Sequence, residues 1–462
     1  MSIAVQFSDL AKLENGAVFS VDHEMQRICT DTRSIQEGDT YLAIKGDKYD
    51  GHSFVEDAVA SGASSLVVSR DVDASVPKIQ VNDTLVTLGN SAKIYRNKLS
   101  AKVVGITGSN GKTSVKEMVS KILADHAGAA AVLSTRGNLN NDIGMPMTLL
   151  ELTEEHEFAV IEMGANHVGE IDYLTRIARP DVALVNNVGP AHLEGFGSLE
   201  NISRAKAEIY NGLSADGIAV LNKDDAFSPF WEDYCADMNT IGFSMIDENA
   251  DVYAQLIEGN RYRVTIQSEQ ADLVLKVPGR HNVMNALAAI AVTYSLGLSL
   301  PEITSSLSTF ENIQGRLTIK NSEAGYRVID DSYNANPLSV SAAIDVLAGI
   351  HGDTVLVLGD MAELGSDAEK LHAEIGSKAK AAGITKLYAT GRLSESTAEA
   401  FGENGFYFKN KNELIKALKK ALTGSETVLI KGSRSAAMEE VVERILTLSL
   451  IHISEPTRQL AS

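Results

Sequence analysis

"GITGSNGKTSVKEMV", residues 105–119, decides how the chain is read. A β-branched run, "KVVGIT" (102–107), enters it, and Gly108, Gly111, Lys112 and Thr113 occupy its middle. It leaves through Val115, Met118, Val119, Ile122 and Leu123, a spacing that makes one buried helix face. Strand, glycine loop and helix, in that order, are the context a phosphate-binding loop requires. Gly108 and Gly111 let backbone N–H groups turn inward around an anion at the helix N-terminus. Lys112 then reaches terminal phosphates and the Thr113 hydroxyl serves Mg²⁺. The spacing departs from the common form, because Ile106 stands where its first glycine belongs and Gly105 is one residue early. The alternative is a plain glycine turn between strand and helix.

Outward from this loop, short β-branched runs alternate with helical patterns: "FAVIEM", "DVALVNNV" and "GIAVLN" follow before residue 222. Runs of this length flanked by loops read as buried parallel strands. A second alternation starts near 326 with "YRVIDD", "TVLVLGD", "KLYATG" and "TVLIKG". Between them, residues 250–279 alternate around Gly259-Asn260 and read as antiparallel strands. A helix follows, with Val283, Ala286, Leu287, Ile290 and Tyr294 on one face. The 462 residues suit about three domains. The expected class is α/β: a mixed α/β N-terminal domain (1–98), a central phosphate-loop domain with a mostly parallel sheet (99–311), and a Rossmann-like C-terminal domain (312–447). No repeat or low-complexity linker is present.

The tail reads differently. "LSLIHISEPTR" (448–458) interrupts a helix begun at "SAAMEEVVERIL" and resembles the translated end of a transposon-based sequencing adapter. The expectation is a native chain truncated near Thr447 and a non-native tail over 448–462; the alternative is an ordinary polar C-terminus.

Composition narrows the partners. Acidic residues outnumber basic ones 61 to 41, for a formal charge of −20. Such a surface repels nucleic acid and anionic membranes, and no Lys/Arg run reverses it locally. An anionic substrate must therefore meet backbone amides, a few cations or a metal. Two cysteines, Cys29 and Cys235, make no disulfide framework, which suits a reducing compartment. The first residues lack a basic n-region, and no apolar stretch reaches the roughly 20 residues that span a bilayer. A cytoplasmic protein is expected.

In open α/β sheets ligands lie beyond the carboxyl ends of the strands. Glu162 sits at such an end, and His192 lies just past another, in "NNVGPAHLEGFG". Glu162 is either a solvated strand-end charge or, given its apolar approach "FAVI", a buried carboxylate needing a partner such as a metal. His192 alone could be a surface or capping residue. In "SLENISRAKAEIYNGL" the residues Ile202, Ala205, Ile209 and Leu213 define a helix face, and Lys206 falls on it. Helix geometry alone favours a snorkelling lysine, its stem buried and its ammonium in water. The alternative is a desolvated neutral amine able to take up CO₂ as a carbamate.

These residues together resemble the Mur ligase family, ATP-dependent enzymes that add amino acids to the peptidoglycan precursor. The resemblance runs to about residue 447. "TGSNGKTS" is similar to that family's variant phosphate loop, which accounts for the shifted glycine. It implies ATP contacts from Thr107, Gly108, Ser109, Asn110, Gly111, Lys112, Thr113 and Ser114. It implies Mg²⁺ ligation by Thr113, Glu162 and His192, and "RAKAEI" puts Lys206 at the family's carbamylated lysine, reversing the preference for snorkelling. Lys112, Lys206 and His192 become the catalytic group. "GRHNVMNALAA" supplies Asn282 at the nucleotide end. "NIQGRLT" and "DDSYNANP" supply Arg316, Asp331 and Asn336, which resemble residues of a C-terminal domain closing over ATP.

Within the family, "EMGANHVGEI" and "RGNLNNDIGMPMTL" resemble the branch that joins D-alanyl-D-alanine to UDP-N-acetylmuramoyl-tripeptide in the cytoplasm. Asn138, Asn140 and Asn141 are its implied substrate contacts. "TDTRSIQEGDTYLAIKGDKYDGHSF" resembles a uridine-nucleotide-binding segment, with Thr32 and Arg33 as implied contacts; on sequence alone they make an ordinary polar turn. The preceding ligase's Asp-Asn-Pro-Arg signature is absent and "DMAELG" stands in the last domain. The rivals are a folylpolyglutamate or cyanophycin-type ligase, which would lack the uridine segment, and a nucleotide-dependent switch or motor, which would turn over ATP without an amino substrate.

Overall fold

The computed structural model describes residues 5–46 and 48–447, so the expected foreign tail at 448–462 lies outside the described residues. The protein is α/β and falls into two compact units. The first holds the chain up to Val188, Ser198–Lys276 and Asn282–Phe310; the second holds Gly189–Gly197, Val277–His281 and the chain from Glu311 onward.

The first unit is built on a nine-stranded sheet. Its order is Val132–Ser134, Phe158–Glu162, Lys102–Thr107, Val182–Val185, Ile218–Asn222, Asn239–Ser244, Val252–Glu258, Arg261–Ile266 and Glu269–Val274. Seven strands run parallel, Arg261–Ile266 turns back antiparallel to them, and Glu269–Val274 pairs antiparallel with it in turn. The turn at Gly259 takes a left-handed φ of 53°, which suits glycine. The antiparallel strands expected there do form, and they extend the parallel sheet through Phe243 and Ser244. Glu162 pairs with Ile106, and Val185 with Thr107, so three strands end level at one edge.

The same unit carries a five-stranded sheet, ordered Val18–Phe19, Lys78–Gln80, Ser65–Val68, Thr40–Leu42 and Ile28–Cys29. Four of these strands are parallel and only the edge Val18–Phe19 is antiparallel. Helix Thr84–Arg96, capped by Asp83, joins the two sheets. Tyr95 donates its hydroxyl to the Leu152 carbonyl at 2.6 Å, and Arg96 Nε donates to the Ala178 carbonyl at 3.2 Å. One apolar cluster runs continuously from Phe7, Leu42 and Leu88 to Ile161 and Ala183.

The second unit has six strands, ordered Thr318–Asn321, Arg327–Asp331, Thr427–Lys431, Thr354–Leu358, Lys386–Thr390 and Gly405–Phe408. All but the first are parallel. One apolar cluster holds Val340, Ile344 and Leu356, and another holds Val357, Leu418 and Val441.

Two helices differ from their sequence patterns. Arg280–Ser295 is buried almost all round, not on one stripe. Its alanines at 286, 288, 289 and 291 are small enough to pack on several sides, which blurs a one-faced pattern. The helix carrying Lys206 stops at Ala207 and tightens into a 3₁₀ turn over Glu208–Gly212. Among the described residues no helix is long and apolar enough to cross a membrane.

Candidate active site

The five positions expected on the loop helix, Val115, Met118, Val119, Ile122 and Leu123, are all buried in helix Lys112–Ala127. Gly111 is its N-cap in the left-handed region, φ 77°, and supplies no side-chain cap. A Cβ there would lie 2.4 Å from Asn285 Oδ1 and 2.5 Å from Asn186 Nδ2. Glycine is therefore required by conformation and by space. The end of the helix carries a partial positive charge and suits an anion. Lys112 Nζ donates to the Gly108 carbonyl at 2.7 Å, folding the ammonium back over the loop. Ser114 lies in the first helical turn, while the buried Thr107 donates its hydroxyl to the Met163 carbonyl at 2.8 Å.

Asparagines that the sequence reading missed hold the loop in shape. Asn187 Oδ1 accepts from the Asn110 N–H at 2.9 Å, and its backbone carbonyl accepts from the Ser109 N–H at 2.9 Å. Asn186 Nδ2 donates to the Asn110 carbonyl and to Asn285 Oδ1, both at 2.9 Å. Asn285 in turn donates to Asn282 Oδ1 at 3.4 Å. The signal was the pair "NN" just past a buried strand, polar residues where the sheet edge meets the loop.

Glu162 is the buried carboxylate of the two alternatives, 3% exposed. Its Oε2 accepts from the Thr113 hydroxyl at 2.9 Å and its Oε1 from Asn140 Nδ2 at 2.9 Å. Asn140 therefore touches the acid directly. Asn138 is exposed in the same loop, and Asn141 Oδ1 accepts from the N–H of Gly144, the first residue of the next helix, at 2.9 Å.

Lys206 does not snorkel. It is 3% exposed, because the helix face it shares with Ile202 and Ala205 packs inward. No carboxylate pairs with it among the described residues. Burial pushes its ammonium well below the ordinary lysine value, and the charge of Lys112 pushes the same way. Both effects favour the neutral amine over the ammonium.

The other predicted residues have local partners. His192 lies in the Gly189–Gly197 segment of the second unit, at a left-handed φ of 56°. Its Nδ1 contacts the carboxylate of Glu363, from "DMAELG", whose own φ is 60°. Arg316 lies over the Tyr333 ring, 4.3 Å from its centre. Asp331 accepts from Lys431 Nζ at 2.6 Å, and Asn336 caps helix Pro337–Ala348. Thr32 and Arg33 form the polar turn that the sequence allowed, a 3₁₀ turn capped by Asp31. Arg33 is 87% exposed, and its hydrogen bonds to Asp31 hold that carboxyl down at about 2.

The described residues contain no cluster of three His, Cys, Asp or Glu side chains placed to hold a metal. Mg²⁺ keeps several waters and takes one or two carboxylates together with substrate phosphates. The adjacent hard oxygens of Glu162 and Thr113 fit that demand beside the phosphate loop. The buried amine of Lys206, which feels the charge of Lys112, fits conversion to an anion.

Comparison with known proteins bears on this site. Residues 24–106 match the Mur ligase family catalytic domain, 106–293 the Mur ligase middle domain, and 315–434 the Mur ligase glutamate ligase domain. The chain is 43% identical to UDP-N-acetylmuramoyl-tripeptide–D-alanyl-D-alanine ligase of Escherichia coli K12, covering 96% of this chain and 98% of that one. It is 34% identical to the enzyme of the same name in Bacillus subtilis 168, covering 95% and 97%. The fold is similar to MurF from Acinetobacter baumannii, with TM-score 0.87 and 35% identity over 95% of this chain and 98% of that one. It is similar also to MurF ligase from Thermotoga maritima in complex with ADP, with TM-score 0.81 and 29% identity over 91% and 96%.

Proposed function

The chain belongs to the Mur ligase family, and from that premise we propose that it joins D-alanyl-D-alanine to UDP-N-acetylmuramoyl-tripeptide, converting ATP to ADP and phosphate, in the cytoplasmic synthesis of peptidoglycan precursor. The observation that carries the reading is the phosphate loop set level with a buried carboxylate, Thr113 hydroxyl on Glu162 at 2.9 Å.

The reaction joins two anions before it joins an amine. The tripeptide carboxylate attacks the γ-phosphate, giving an acyl phosphate and ADP; the dipeptide amine then attacks that carbonyl and expels phosphate. Catalysis of this kind is positioning and charge neutralisation. Lys112 and the loop N–H groups hold the phosphates, and Asn282, Arg316, Asp331 and Asn336 are assigned to the nucleotide. Thr113, Glu162, His192 and Lys206 would hold Mg²⁺, which supplies charge neutralisation at the phosphoryl oxygens. The neutral Lys206 amine adds to CO₂ and releases one proton, so that a carbamate anion replaces an uncharged amine. Asn140 fixes the Glu162 carboxylate through Oε1. Thr32, Arg33, Asn138 and Asn141 are assigned to the UDP-linked substrate, and residues 1–98, 99–311 and 312–447 to the UDP-sugar, ATP and dipeptide in turn.

Phosphate release is the test, measured with ATP and each substrate alone and together. Release that requires both the UDP-muramoyl-tripeptide and D-alanyl-D-alanine is expected. ATP turnover without the dipeptide would sink the ligase reading in favour of a switch.

A further inference from the structure

Lys116 has no part in the roles assigned so far. It lies one turn beyond Lys112 on the loop helix, yet its side chain is only 3% exposed. Its ammonium donates to the Thr135 carbonyl at 2.7 Å and pairs with Glu117. A buried ammonium is an expensive way to pack a helix on a sheet, and an apolar side chain of similar volume is often as stable or more so. What the ammonium adds is direction.

Thr135 is fully buried, and its N–H donates to the Val160 carbonyl at 3.0 Å. Its hydroxyl oxygen accepts from the Glu162 N–H at 2.9 Å. The Glu162 carboxylate returns to the same helix through Thr113 at 2.9 Å. The circuit therefore closes: helix to Thr135 by Lys116, Thr135 to Glu162 by the hydroxyl, and Glu162 back to the helix by Thr113. Thr135 also roots the loop that brings Asn140 to the other carboxylate oxygen.

We propose that Lys116 is a positioning residue that, through Thr135, sets the spacing between the Glu162 carboxylate and the Thr113 hydroxyl. The inference rests on the reading of those two groups as metal ligands. Remove the ammonium and the Thr135 carbonyl is left buried without that donor. The segment then relaxes, and Glu162 loses its fixed aim while the phosphate loop keeps its asparagine supports.

The test is Mn²⁺ binding followed by electron paramagnetic resonance, using the full chain loaded with ADP, alongside ADP binding in EDTA. In Lys116→Met the Mn²⁺ dissociation constant should rise about 10-fold, the scale seen when an outer partner of a metal ligand is lost. ADP affinity in EDTA should stay within about twofold of wild type, which a general loosening of the helix would not allow. Lys116→Arg, which keeps a donor to the carbonyl, should recover part of the Mn²⁺ affinity. Thr135→Val, which deletes the hydroxyl oxygen alone, carries the same expectation should the methionine variant not fold. Wild-type Mn²⁺ affinity in a folded Lys116→Met or Thr135→Val protein overturns the proposal. Glu162→Gln separates the premises: weakened Mn²⁺ there with normal binding in Lys116→Met removes the positioning role alone. Unchanged Mn²⁺ binding in Glu162→Gln removes the metal reading and this proposal with it.

Discussion

Two strand–loop–helix passages of this molecule share an order and differ at one position. Strand Lys102–Thr107 leads into helix Lys112–Ala127, and strand Arg327–Asp331 leads into helix Pro337–Ala348. At the first, Gly111 caps with a left-handed backbone and no side chain. At the second, Asn336 Oδ1 accepts from the Ser339 N–H at 2.9 Å while Ser339 Oγ accepts from the Asn336 N–H at 3.0 Å. A capping box satisfies the first-turn donors internally, and Pro337 removes another. The same topology thus ends in a glycine cap without a side chain in one region and in a side-chain capping box in the other.

Buried lysines repeat the contrast. Lys431 is buried against Asp331 at 2.6 Å, a structural ion pair. Lys206 is as deeply buried, with Lys112 as its electrostatic neighbour. A carboxylate partner favours the charged form of a buried lysine; burial without one favours the neutral amine.

Variants at these positions can break or sharpen the contrast. The largest effect is expected at Lys206. Lys206→Arg puts a permanent cation where the proposed carbamate would place an anion, so ligation should fall about 10³-fold; near-normal turnover would end the carbamate reading. Lys206→Met should be equally inactive yet more stable in CO₂-free buffer. The folded amine titrates below its unfolded value, so between the two pKa values the unfolded chain binds more protons. Stability from this site therefore rises with pH towards the ordinary lysine pKa and falls as pH drops. Urea melts from pH 6 to 9 should show a shallower pH slope in the methionine variant, and an unchanged slope would contradict the assigned direction.

Lys112→Ala should lower kcat about 10²–10³-fold with its melting temperature preserved, because it removes charge at the phosphates. A fall in stability with little loss of turnover would assign Lys112 to loop structure instead. Lys431→Met should do the reverse of Lys206→Met: removing one partner of a buried pair costs about 3 kcal/mol, read as a lower urea midpoint. A stable Lys431→Met protein would show that Asp331 does not depend on it. The smallest effect is expected at Asn336. Asn336→Asp keeps an N-cap of similar strength, so its melting temperature should hold. An ATP KM raised about threefold in that variant would mark a nucleotide contact on top of the cap, and an unchanged KM would leave Asn336 with the cap alone.

The strands and the phosphate loop were legible in the chain because they are local. Period-two and period-3.6 patterns report which side of an element is apolar, and a Gly-Lys-Thr run after a β-branched stretch allows few conformations. The alternatives left open at Glu162 and Lys206 were not local questions. Burial of Lys206 depends on what covers residues 199–207, and no spacing within the helix distinguishes a buried end from a wet one. The asparagine supports at 186, 187 and 285 come from segments about a hundred residues apart. Their hydrogen bonds to the loop exist only once the strands are level. Lys116 is the clearest case. In sequence it is a polar residue on an amphipathic helix, indistinguishable from a solvated one, and only the sheet behind that helix makes it a buried tether between two parts of the site. Sequence determines which chemistry the residues are able to perform; tertiary packing decides which of them are desolvated and aimed, because solvation and direction are properties of neighbours, not of residues.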